Sequence, residues 1–124
     1  CERTPTIFFK EDRPFLAPGS PGGDTFINAV FQTVMNVVDF DMNVAVSTSK
    51  QRFNHQWMPD IVFAEAHALS PETEKALERR GHELRPVASL GEVHSGRGEI
   101  GGEMLAAQDP RGPGTAGTVH PAVD

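Results

Sequence analysis

Two adjacent glycines, Gly22 and Gly23, are the residues of this chain best suited to hold a negative charge. They close the run Gly19-Ser20-Pro21-Gly22-Gly23-Asp24. A short apolar segment, Pro14-Phe15-Leu16-Ala17, precedes it, and a helical pattern from Thr25 to Phe40 follows. A strand that runs through a glycine turn into a helix leaves the first N–H groups of that helix without partners, and the helix dipole points its positive end the same way. Such a place takes a phosphate, a carboxylate, or the oxyanion of an acyl-transfer intermediate. Because they lack Cβ atoms, Gly22 and Gly23 let a substrate carbonyl come close to their N–H groups. The plainer alternative is a tight turn whose glycines cap a helix and bind nothing.

Other reactive residue types are present in less suggestive settings. Ser20 invites comparison with the Gly-x-Ser-x-Gly turn of hydrolase nucleophiles, but Gly19-Ser20-Pro21-Gly22 lacks that spacing, and Pro21 removes an N–H from the turn. Histidines stand at 55, 67, 82, 94 and 120, with no pair three or four residues apart and no His-Glu-x-x-His string. Linear spacing therefore gives no reason to expect a zinc site or any cofactor. His55, between Phe53 and Trp57, reads as a packed, hydrogen-bonded histidine rather than a general base. A cysteine at an N-terminus can be an autocatalytic nucleophile with its α-amine as base. Pro5 and two charged residues separate Cys1 from the first strand pattern, so position 1 reads more simply as the place where the chain begins.

The elements that must position these residues follow from periodicity. Thr6 to Lys10 and Pro14 to Ala17 flank a polar turn and predict a β-hairpin leading into the glycines. Within 25–40, Ile27, Val30, Phe31, Val34 and Val38 recur at helical spacing, widened by Phe26, Ala29 and Val37. This apolar breadth predicts a mostly buried helix packed on a sheet, with Asn28, Gln32, Asn36 and Asp39 as a solvated stripe. A second short helix is expected within Asp41–Ser49, an extended stretch at Arg52–Trp57, a turn at Met58-Pro59-Asp60 and a strand at Ile61–Ala64. Ser70-Pro71 starts a surface helix that Gly81 ends. Glu83–Val87 reads as a strand interrupted by Pro86. Between Gly91 and Gly102 the strand signal is poor, and Met104–Ala107 reads as the last strand.

Composition narrows the class. The 124 residues are one domain's worth of chain or a piece of a larger one, with 38% apolar content to build a core. A net charge of −6 and the lack of a basic stripe argue against a nucleic-acid surface. One cysteine excludes an internal disulfide framework. No run approaches the roughly 18 apolar residues of a membrane span, and no signal pattern opens the chain. Position 1 can be a processing boundary, so the compartment stays open between cytoplasm and export.

Several strings, in order, resemble the γ-glutamyltranspeptidase (γ-glutamyltransferase) family of N-terminal-nucleophile hydrolases. Thr4-Pro5-Thr6-Ile7 is similar to its Ser/Thr-Pro-Thr strand, and Gly19-Ser20-Pro21-Gly22-Gly23 to its Gly-Ser-Pro-Gly-Gly loop. Asn36-Val37-Val38-Asp39-Phe40 with Met42-Asn43 is similar to its helix exit. Arg52-Phe53-Asn54-His55-Gln56-Trp57-Met58-Pro59-Asp60 is similar to its Arg-Phe-His-His-Gln-Trp-Leu-Pro-Asp signature. Ser70-Pro71-Glu72, Gly81, Asp109-Pro110-Arg111 and Gly114–Gly117 fit its C-terminal pattern.

The resemblance implies an α+β chain that is part of a four-layer αββα sandwich, assembled in the parent from two subunits made by self-cleavage. Residues 1–117 would be the C-terminal portion of the small subunit, and 118–124 a flexible tail. It implies transfer or hydrolysis of γ-glutamyl groups, from glutathione or related amides, and a periplasmic or secreted location. Gly22 and Gly23 match the family's oxyanion-hole pair. Cys1 and Glu2 stand where the family has the Ser-Ser pair that binds the substrate's carboxylate end, and a Glu2 carboxylate there repels that group. The nucleophilic threonine and the arginine that holds the substrate carboxylate would lie upstream. The implied partners are the rest of the small subunit, the large subunit and a small γ-glutamyl substrate. Alone, the chain is expected to be catalytically silent and to self-associate. A non-catalytic binding domain that keeps the scaffold is the alternative.

Overall fold

A computed structural model describes residues 6–99 and 101–120. They fall into two compact units, Cys1–Ser49 with Gly91–Asp124, and Lys50–Leu90.

The first unit is a sheet with helices on it. β1 (Phe8–Lys10) and β2 (Arg13–Gly19) form the expected hairpin. Its two turn residues, Glu11 and Asp12, both have positive φ (51° and 59°), the geometry that matches the twist of the flanking strands. β2 pairs antiparallel with β6 (His94–Gly98), which pairs with β7 (Met104–Ala107), giving the order β1-β2-β6-β7-β8. β8 is Thr118–Val119. Two expectations are corrected here. Met104–Ala107 is not the last strand, because Thr118 and Val119 pair with Leu105 and Met104. The weak segment after Gly91 supplies β6, which lies at the centre of the sheet. Its glycines lower intrinsic strand preference, but a Cβ at Gly98 would collide with the Pro14 carbonyl oxygen, so close approach of β2 demands glycine there.

α1 (Phe26–Val38) and α2 (Val44–Ser49) pack on this sheet through Leu16, Val37, Val44 and Ala107. The buried side of α1 differs from the periodicity reading. Ala29, Thr33 and Val37 are buried, while Ile27, Phe31 and Val38 are exposed. Small residues bring the helix close to its neighbours. The Thr33 hydroxyl donates to the Ala29 carbonyl (2.9 Å), and the Thr33 carbonyl accepts from Ser47 Oγ (2.9 Å), so a polar residue sits in the core fully satisfied. Asp109, wholly buried, accepts from the Val93 N–H (2.8 Å), the Arg111 N–H (3.0 Å) and Arg111 Nη1 (2.9 Å). Arg111 Nη1 also reaches the Thr48 carbonyl at 3.4 Å, tying the end of α2 to the chain beyond β7.

The second unit has three strands, β3 (Phe53–His55), β4 (Ile61–Glu65) and β5 (Glu83–Val87), with β4 in the middle. β3 runs antiparallel to β4, and β5 runs parallel to it after α3 (Pro71–Arg79). α3 starts as expected: Ser70 Oγ accepts the Thr73 N–H, and Pro71 takes the first helical position. It buries none of its residues. Pro86 does not interrupt β5, whose residues pair continuously with β4. β5 is the sheet edge, where a missing N–H is tolerated. At the end of β4, Glu65 accepts the Arg52 N–H (2.9 Å) and the Leu90 N–H (2.7 Å), and Arg52 Nη1 donates to the Leu90 carbonyl (3.2 Å). Among the described residues no helix is long and apolar enough to cross a membrane.

Candidate active-site turn

β2 ends at Gly19, and the chain from Ser20 to Thr25 carries it onto the first turn of α1. Gly22 and Gly23 have φ of 115° and 109°, values L-residues rarely adopt, and a Cβ on Gly23 would meet no atom within 4 Å. The glycines are thus required by backbone shape, with open space beside Gly23. Among the described residues, neither the Gly22 nor the Gly23 N–H meets an acceptor. The Gly23 carbonyl accepts a long bond from Phe26 N (3.4 Å), which folds the turn toward the helix.

The start of α1 has no cap from its own side chains, and Asp24 stands just before the N-cap residue Thr25. Thr25 makes no side-chain capping bond, and no acidic residue lies in the first turn, so no side chain of the helix itself offsets the positive end of its dipole there. Ser20 Oγ is buried and meets no hydrogen-bond partner among the described residues. These features together give two backbone donors and one hydroxyl on six consecutive residues beside a helix N-terminus, an arrangement that stabilises an anion.

Of the other residues singled out above, Cys1 and Glu2 lie outside the described residues. Sheet register places His94 opposite Gly19, with Nε2 2.9 Å from Glu92 Oε1, so an oriented imidazole stands across from the end of β2. Sequence spacing did not signal this neighbour, because it is produced only by antiparallel pairing across 75 residues of chain. His55 is hydrogen-bonded as expected, to Asp60 Oδ1 at 2.7 Å, but it is exposed rather than packed.

Comparison with known proteins gives the family. The sequence pattern of the family described as Gamma-glutamyltranspeptidase matches residues 2–119. The glutathione hydrolase proenzyme of Escherichia coli is 40% identical over 108 residues, covering 87% of this chain and 18% of that protein. A mutant gamma-glutamyltranspeptidase of Helicobacter pylori superposes with a TM-score of 0.81 at 31% identity, over 89% of this chain and 61% of that one. The gamma-glutamyltranspeptidase of Pseudomonas nitroreducens complexed with L-DON gives 0.78 at 29% identity, over 98% and 62%. The chain spans about a fifth of the length of the curated relatives it matches. Its α+β fold, with helices laid on an antiparallel sheet, is a portion of the αββα sandwich of those structures. By pattern, identity and fold, the chain belongs to the gamma-glutamyltranspeptidase family.

Proposed function

We propose that this chain is part of an amide-cleaving acyltransferase or hydrolase acting on γ-glutamyl groups, and that Gly22 and Gly23 are its oxyanion hole. The observation that carries this reading is the pair of positive-φ glycines whose N–H groups meet no acceptor among the described residues, at the start of α1, where Thr25 makes no side-chain cap. When a nucleophile attacks the γ-carbonyl, negative charge develops on the carbonyl oxygen. Two fixed donors aimed at that oxygen lower the barrier without reorganising during the step. The nucleophile would be the threonine exposed by self-cleavage upstream of this chain, as the family pattern implies. Glu2, in place of a hydroxyl residue, disfavours a substrate carboxylate at that position and so argues against the family's usual glutathione specificity.

The test is release of the aniline from a γ-glutamyl anilide by the parent protein. Release is expected, and it is expected to vanish when the maturation threonine is replaced. A parent that matures and folds but releases nothing would favour the alternative, a scaffold kept for binding.

The rest of the small subunit and a large subunit are the proposed partners. Exposed apolar groups support this: Ile27, Phe31 and Phe40 on and after α1, Phe9 and Met104 on the sheet, and Ile7 just before β1. An open hollow of about 380 Å³ is lined by Ile7, Phe15, Ala17, Gly98 and Met104. Surface of this kind recruits other chains. The isolated chain is therefore expected to sediment as dimers or larger species at low micromolar concentration. A monomer with one cooperative unfolding transition would show that it needs no cover.

A further inference from the structure

The geometry points to a divalent transition-metal site formed by His55, Asp60 and His82, with Zn²⁺ as the ion it fits best. One donor atom from each residue lies within 4.8 Å of the other two. His55 Nε2 and Asp60 Oδ1 are 2.7 Å apart, and the His55 and His82 rings meet edge-on with centroids 5.8 Å apart.

Three strand ends deliver these groups. His55 is the last residue of β3, Asp60 immediately precedes β4, and His82 immediately precedes β5. Because β3 is antiparallel to β4 and β5 is parallel to it, all three positions fall at the same end of one sheet. The ladder partner of His55 is Val62. The His82 backbone is fixed by a helix-ending bond from its N–H to the Leu77 carbonyl (3.1 Å). Ligands mounted this way lose little freedom when an ion arrives.

Two imidazoles and one carboxylate are a donor set that zinc accepts, leaving a position for water. Zinc–donor bonds of about 2.1 Å place tetrahedral donors about 3.4 Å apart, so small side-chain rotations of Asp60 and His82 suffice. The His55–Asp60 bond helps to close the turn between β3 and β4, together with the bond from the Ile61 N–H to the Pro59 carbonyl (2.9 Å). It is the approach of His82 that turns a capped turn into a ligand set. The site lies in the Lys50–Leu90 unit and does not depend on the function proposed for the glycine turn.

The test uses the untagged, full-length parent protein stripped with EDTA and titrated with Co²⁺. One equivalent is expected to produce the visible absorption of a low-coordinate N/O site, and Zn²⁺ is expected to displace it. Zn²⁺ is also expected to raise the unfolding temperature. His82→Ala and, separately, Asp60→Asn should each weaken Co²⁺ binding tenfold or more. Unfolding measured in EDTA shows whether each variant is folded; both residues lie outside the core, and either variant serves if the other fails. The inference is overturned if the wild-type protein takes up no Co²⁺, or if a folded variant binds it as the wild type does.

Discussion

Replacing Glu65 with alanine is expected to destabilise the Lys50–Leu90 unit by about 3–5 kcal/mol, the scale for removing one partner of a buried charged network. Glu65 is 6% exposed and Arg52 2% exposed. The carboxylate accepts two backbone N–H groups, from Arg52 and Leu90, that begin and end this unit. Hydrogen bonds to a charged group contribute about 1.5–3 kcal/mol each. Alanine would leave both donors buried without an acceptor. Glu65→Gln keeps the shape and one acceptor oxygen but turns an NH₂ toward the other N–H, so it should cost clearly less than alanine but more than nothing. Urea unfolding of the parent protein and both variants measures the series. A Glu65→Ala variant within about 1 kcal/mol of the wild type would show that the carboxylate does not hold the unit together.

The second large effect is on turnover. Gly22→Val or Gly23→Val in the parent enzyme is expected to lower kcat by about 10²-fold or more, the scale for one lost oxyanion donor. On the proposed role KM should change little, because the charge that the donors would meet exists only in the transition state. The positive φ at both glycines adds a complication, since any L-residue there carries backbone strain of about 1–3 kcal/mol. A strain-matched comparison separates the two effects. Gly81 has φ of 94°, and a Cβ there would also meet nothing within 4 Å, yet it lies at the end of α3 in the other unit. Gly81→Val should lose similar stability and retain kcat per folded molecule. If the Gly23 variant, corrected for its folded fraction, also keeps kcat, the oxyanion role is wrong.

The sequence by itself determined the elements whose signals are local. The β1–β2 hairpin, the helix expected at 25–40 and formed at 26–38, the Ser70-Pro71 start and Gly81 end of α3, and the strand expected at 61–64 and formed at 61–65 all follow from turn residues, capping and period. The ordered strings from Thr4 to Gly117 were enough to indicate the family, and they singled out Gly22 and Gly23 because a glycine pair between strand and helix is itself a local pattern.

Only the tertiary structure decided what depends on which segments meet. A glycine-rich stretch became the central strand because its neighbour approaches too closely for a Cβ at Gly98. Thr118 and Val119 became a strand because β7 offered them an edge. α1 buried Ala29, Thr33 and Val37 rather than its largest side chains because close packing selects small residues, while the larger ones face a surface this chain does not cover. His94 came opposite Gly19, and His55, Asp60 and His82 came together, through strand pairings that join residues far apart in the chain. Sequence periodicity reports the environment of a residue and its near neighbours along the chain. Pairing between strands is set by the summed fit of whole elements, and no window of sequence contains that sum.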